Sequence, residues 1–177
     1  MTQLITAIDH DFAWLLGEES PAHSLHEAPG GVEERSILKW LRAVSARLEA
    51  GGHLGSFLIV DEGEVVGLCG FRGPPDISGS GEIGYGIAAS RRRLGHATRA
   101  VALMCAEVRQ RAAVTALRAE TSTQNPASQR VLEYNGFAKV GSRHDDEDGD
   151  LLLWSKTLRA PGEGGHSALD PDTGKVR

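Results

Sequence analysis

Glycine is the feature that most limits what this chain can build. Twenty-two of its 177 residues are glycine, above the roughly 7% of an average protein. They fall between short apolar runs, where turns, caps and close backbone approaches need a residue without a Cβ. No run reaches the ~18 consecutive apolar residues of a membrane span.

Read in order, Asp9 is a candidate N-cap for a short helix carrying Phe12, Leu15 and Leu16 and closed by Gly17. Residues 18–32 are polar and rich in Gly and Pro, which predicts a loop. Ile37, Leu38, Leu41, Val44 and Leu48 recur at helical spacing until Gly51-Gly52 stops them. Runs 56–60 and 64–71 flank Asp61-Glu62-Gly63 as a hairpin, and 72–81 is a further loop. Residues 82–88 read as a strand interrupted by two glycines. A helix follows with Ala97, Val101, Met104, Cys105 and Val108 on one face, then a strand over 114–121 and a helix from Pro126 to Asn135. Two last strands are predicted around an acidic loop from Arg143 to Asp150. Helices alternating with strands give an α/β (α+β) architecture, and the helical crossover between 82–88 and 114–121 predicts that these strands run parallel.

Composition narrows the class. With 40% hydrophobic and 24% charged residues, the chain suits a single globular domain, predicted over residues 1–158. Residues 159–177 hold too little apolar surface to offset their ordering entropy and are expected to be a disordered tail. A net charge of −5 argues against a nucleic-acid binder built on Arg91–Arg93. Cys69 and Cys105 lie in apolar runs and read as buried thiols, and no metal-ligand spacing is present. The N-terminus lacks a basic n-region, so a cytoplasmic location with no membrane association is expected.

Two segments carry chemistry. In Ile87-Ala88-Ala89-Ser90-Arg91-Arg92-Arg93-Leu94-Gly95-His96-Ala97-Thr98 a strand passes through a small-residue loop into a helix start. Unpaired helix N–H groups with the positive end of the helix dipole behind them suit a phosphate or pyrophosphate. The spacing is neither GxxxxGK[ST] nor GxGxxG. In the second segment, Asn125-Pro126-Ala127-Ser128 opens a helix and Gly136-Phe137 follows its end. Simple capping accounts for these residues when they are taken alone.

Together the two segments resemble the GNAT superfamily of acyl-CoA-dependent N-acyltransferases. Glu82-Ile83-Gly84-Tyr85 followed by Arg92-x-x-Gly95-x-Ala97 matches the [RQ]-x-x-G-x-[GA] pyrophosphate loop, and Asn125 through Glu133 with Gly136-Phe137 matches the helix after it. The branch of ribosomal-protein N-terminal acetyltransferases is the most similar. The resemblance is specific over 82–142 and looser elsewhere in 3–158.

It implies a twisted mixed sheet flanked by helices and splayed between two parallel central strands, with acetyl-CoA as cosubstrate in the split and no metal. Backbone groups at Tyr85 and Ile87 would hold the pantetheine arm. The N–H groups of Leu94, Gly95, His96, Ala97 and Thr98 would hold the pyrophosphate, with Arg92 beside them. Arg93, where such loops often have Gly, would point outward to the 3′-phosphate. Asn125 would face the pantetheine, and an N–H at Ile87 or Ala88 would polarise the thioester carbonyl. Glu82 is the candidate base. Leu132 stands where many members carry a tyrosine acid, so Ser128 becomes the candidate donor to the thiolate. Tyr134, two residues on, would project elsewhere. The acceptor would be a small-molecule amine or a protein N-terminal amine, and a homodimer is compatible with the resemblance. A catalytically silent acyl-CoA-binding module on the same fold is the alternative reading. His23, His26 and His53 sit on loops that could border an acceptor, and Trp14 and Trp40 are read as core or interface residues.

Overall fold

A computed structural model describes residues 1–110 and 114–158, so the predicted tail at 159–177 lies outside the described residues. The elements are β1 (Gln3–Thr6), α1 (Asp9–Leu15), β2 (His26–Glu27), α2 (Arg35–Ala50), β3 (Ser56–Asp61), β4 (Glu64–Phe71) and β5 (Ser80–Ile87). A 3₁₀ turn (Ala89–Arg91) then leads to α3 (His96–Arg109), β6 (Ala116–Ser122), α4 (Pro126–Tyr134), β7 (Ala138–Asp145) and β8 (Gly149–Thr157). The strands lie in the order β1-β3-β4-β5-β6-β8-β7, with β2 beside the start of β4. Among the described residues, only β5–β6 and the short β2–β4 contact are parallel. The fold class and the parallel pairing expected from the sequence are those observed.

Side-chain alternation divides the core between the two faces of the sheet. Ile83, Phe71 and Cys69 join Val101, Met104 and Val108 of α3 and Leu132 of α4 in the larger cluster. Leu58, Val60 and Leu68 join Phe12 and Leu38 of the first two helices in the smaller one. Both thiols are buried, and loss of solvent pushes that of Cys69 up to about 12. Between β3 and β4 the turn residues Glu62 and Gly63 both have positive φ, the backbone of a type I′ hairpin.

Several local expectations are corrected. Strands β1 and β2 were not foreseen: QLIT is only four residues long, and the two-residue β2 forms inside the predicted 18–32 loop because β4 offers it a partner. Ile8, not Asp9, caps α1. Its N–H donates to Asp11 Oδ2 at 2.9 Å, while Asp9 pairs with Arg42. Strand β5 starts at Ser80, inside the predicted 72–81 loop. The 143–150 loop shrinks to residues 146–148, because Arg143 bridges Asp145 and Glu120 and offsets the acidic charge that argued against a strand.

Candidate active site

The hydrogen-bond register of β5 defines the split. Its antiparallel pairing with β4 runs from Phe71↔Ile83 to Gly67↔Ile87. At the two ends of that ladder, Glu82 O accepts from Arg72 N and Ala88 N donates to Val66 O, both at 2.9 Å. Backbone polar groups alternate sides along a strand, so the even-numbered residues face β4 and the odd-numbered ones face β6. Pairing with β6 covers only Ser80↔Ala116, Gly81↔Leu117 and Glu82↔Arg118. Past that point the two strands diverge. The N–H and C=O of Tyr85 and the N–H of Ile87 therefore open into the gap. Ala88 does not: its N–H is spent on Val66, which leaves Ile87 as the amide available to a carbonyl in the split.

Open backbone donors resume at the end of the loop. Helix α3 begins at His96, with Gly95 before it at φ 79°. The amides of Leu94 through Thr98 donate to no acceptor among the described residues, and the first helical bond closes only at Arg99 N to Gly95 O. Unpaired donors thus lie at both ends of the segment, at Tyr85 and Ile87 and again from Leu94 to Thr98, while Ala88 N and Arg91 N between them are spent on Val66 O and Ala88 O. Arg93 has φ 64°, a left-handed conformation that favours glycine. That geometry gives the physical reason why glycine suits this place in such loops.

The arginines divide their work. Arg91 forks onto Glu64, which holds that carboxyl below its usual range. Arg92 Nε donates to Ile87 O at 3.2 Å and ties the loop to the strand. The His96 side chain is buried and within 3.2 Å of both Thr2 Oγ1 and Arg99, and desolvation lowers its pKa. His96 can therefore serve a phosphate only through its main-chain N–H. A cavity of about 300 Å³ behind the loop is lined by His26, Asp61, Glu62, Glu64, Arg91 and His96. Its three carboxylates make it the wrong sign for a phosphate.

Across the split, α4 presents Ser128. Asn125 Oδ1 accepts from Ser128 N at 3.0 Å, so Asn125 is an N-cap. This is the capping role, in place of a side-chain oxygen turned toward the split. Ser128 Oγ lies 2.7 Å from the Tyr85 hydroxyl, which also donates to Ser128 O at 3.1 Å. Burial raises the Tyr85 phenol to about 12. The sequence motif points only to the Tyr85 backbone. No spacing rule joins residues 85 and 128, and only the splayed sheet brings them together. Leu132 is fully buried and Tyr134 is 82% exposed, so neither reaches the split.

Glu82 sits at the last paired position, with Oε1 3.2 Å from Arg72 Nε. Arg72 in turn lies 5.2 Å over the ring of the half-exposed Trp40. His23 and His26 approach Asp11 and Glu64 instead of the split. Among the described residues no group of three His, Cys, Asp or Glu side chains could hold a metal, and no helix is long and apolar enough to cross a membrane.

A sheet opened between two parallel strands, with unpaired amides leading to a helix N-terminus, is the architecture of acyl-CoA-dependent acyltransferases. The family model described as "Acetyltransferase (GNAT) domain" matches residues 6–138, and the chain belongs to that family. Over 84 residues it is 37% identical to an uncharacterized N-acetyltransferase, YjdG, of Bacillus subtilis (strain 168), a match covering 46% of this chain and 50% of that protein. The chain thus spans about half the length of this relative. Among solved structures it is similar to RimL, a ribosomal L7/L12 alpha-N-protein acetyltransferase in complex with coenzyme A (TM-score 0.69, 17% identity, 88% of this chain and 93% of that one). It is also similar to AAC(6')-Ib in complex with paromomycin and acetyl-CoA (TM-score 0.64, 18% identity, 88% and 93%).

Proposed function

We propose that the protein is an acetyl-CoA-dependent N-acetyltransferase that moves the acyl group of a CoA thioester onto a primary amine by direct attack. The observation that carries this reading is a pair of open donor groups on one strand-loop-helix segment: the Tyr85 and Ile87 amides in the split, and the amides of Leu94 to Thr98 at the first turn of α3. A pantetheine arm can complete β5 as a missing strand would, and the diphosphate can take the helix amides. Gly95 gives that diphosphate close approach, and Arg93 is free to reach the 3′-phosphate.

The remaining groups fit the chemistry. The Ile87 amide donates to the thioester oxygen as negative charge grows there. The paired hydroxyls of Ser128 and Tyr85 offer a hydrogen bond to the departing sulfur. A thiol of pKa near ~8.5 leaves with modest help, so a hydroxyl pair without strong acidity is adequate. The acceptor is a primary amine, on a small molecule or a protein N-terminus, in keeping with what the names of the similar structures say of those proteins.

The test is calorimetric and enzymatic. Acetyl-CoA at a hundredfold excess over its Kd should stabilise the fold by about 2.7 kcal/mol, which raises Tm by about 5–10 °C for a domain of this size. Free thiol should then appear when a primary amine is added. A Tm unmoved by millimolar acetyl-CoA would refute the reading.

A further inference from the structure

Resting on the acetyl-transfer reading, we propose that Glu33 is the carboxylate that receives the acceptor amine and takes up its proton, and that Gly86 is the clearance that lets it do so. No motif in the sequence marks Glu33. The structure places its Oε2 2.9 Å from where a Cβ on residue 86 would stand, closer than real Cβ contacts allow. The carboxylate therefore lies directly against the bare strand, next to the Ile87 amide that opens into the split.

Its position is built. Strand β2 pairs with residues 64–65 of β4, just beyond the stretch 67–71 that β5 occupies, so the chain leaving β2 passes the end of β5. Ala28 N donates to Val65 O at 3.0 Å, Val32 N to Glu27 Oε1 at 2.9 Å, and Ser90 Oγ to Pro29 O at 2.7 Å. Val32 is buried in the smaller core cluster, and α2 starts two residues after Glu33. Glu33 is thus fixed from both sides.

Its bonding state differs from that of Glu82. Glu33 Oε1 accepts from Glu34 N at 3.0 Å, and Oε2 has no partner among the described residues. Glu82 is already engaged by Arg72. Gly84 and Gly86 share the face of β5 that carries Glu82, opposite to the face of Ile83 and Tyr85; the Arg72 stem covers Gly84, which leaves the bare backbone at Gly86, beside Glu33, as the place for the acceptor. The unpaired Oε2 of Glu33 is the anion that receives a cationic amine there.

The protons balance. An acceptor arriving as an ammonium ion gives one proton to Glu33, which passes it to solvent. The freed lone pair forms the C–N bond, the C–S bond breaks, and its electron pair leaves on sulfur. The second nitrogen proton returns to the Glu33 carboxylate, and the thiolate leaves against the Ser128–Tyr85 hydroxyls or takes a proton from water.

The experiment uses the full chain, saturating acetyl-CoA and n-butylamine as the probe cation, with thiol release as the readout. Glu33→Gln should lower kcat/KM for the amine by about a hundredfold or more, the low end of general-base help, and leave the acetyl-CoA Kd within about twofold. Glu33→Ala should lose as much, and added formate, which fits the space left by the carboxylate, should restore part of its rate. Gly86→Ala, which pushes the carboxylate off the strand, should cost about tenfold in the Glu33 protein and almost nothing beside Glu33→Gln, a non-additivity that a merely structural effect would not give. Equal amine consumption by wild type and Glu33→Gln, zero in both included, overturns the proposal, as does a larger loss from Glu82→Gln than from Glu33→Gln. Failure of wild type to bind acetyl-CoA shows separately, in the titration, and refutes the underlying reading instead.

Discussion

Replacing Gly95 by Glu, with Gln as its uncharged counterpart, isolates the electrostatics of the helix start. Gly95 has φ 79°, and a Cβ there would stand 2.9 Å from Arg99 Nη1, the end of a flexible side chain. Either substitution imposes a left-handed backbone on a residue with a Cβ, which costs about 1–2 kcal/mol and lowers Tm by about 2–8 °C. This cost is common to both variants and cancels in their comparison. They differ by one negative charge set among amides that would otherwise meet a diphosphate. Two like charges about 5 Å apart at an effective dielectric of about 20 repel by about 3 kcal/mol. The Glu variant should therefore bind CoA roughly a hundredfold more weakly than the Gln variant at low salt. Pairing of the new carboxylate with Arg99 would reduce the ratio, and added salt should reduce it further. Titration calorimetry with CoA in low and high salt measures both effects. Equal affinities for the two variants at low salt would show that no phosphate sits at the start of α3.

Three other perturbations test separate parts of the site. Arg93→Gly should raise stability by about 0.5–1 kcal/mol, as relief of a left-handed residue (about 1–2 kcal/mol) outweighs the entropy of the new glycine (about 0.5–1 kcal/mol). The same variant should bind CoA less well than dephospho-CoA relative to wild type, so thermal melts and a pair of titrations report on it together, and a drop in Tm or equal affinity loss for both ligands would refute the two parts in turn. Ser128→Ala removes one of the two Tyr85 contacts and should cost about 0.5–1.5 kcal/mol of stability. It should lower kcat by about tenfold with acetyl-CoA Kd unchanged; a kcat within about twofold of wild type would exclude the hydroxyl from thiolate departure. Glu64→Gln frees Arg91, and because the folded-state pKa of Glu64 lies below its ordinary value of 4.5, the stability it supplies is present above that pH and fades as pH falls through the folded value. Melting curves for the two proteins should thus be well separated at pH 7 and converge under acid, and an equal gap at all pH values would deny the ion pair its role.

The sequence alone determined what depends on neighbours along the chain. Glycines at positive φ mark the turn at Gly63 and the entry to α3 at Gly95, because only the local backbone decides where a Cβ is intolerable. Helical spacing found α2 and α3, Pro126 and Gly136 marked the ends of α4, and Asn125 capping Ser128 is a contact three residues long. The loop and the parallel pairing of β5 with β6 followed from such local signals, and with the motifs they carry the resemblance to the family.

Tertiary structure decided everything that needs two distant segments at once. Strand β2 exists because β4 has an unpaired edge beside it, and β7 runs to Asp145 because Glu120, on another strand, shares Arg143. The split opens where pairing with β6 ends at Arg118. That end point, and not a residue of β5, makes the Tyr85 and Ile87 backbone available while Ala88 is spent on Val66. Tyr85 meets Ser128 across 43 residues, and Glu33 meets Gly86 across a similar gap in the chain. Neither pairing leaves a periodicity or a spacing to read, since side-chain contact across a fold depends on strand register and loop path, and these are set by the burial of the whole core at once.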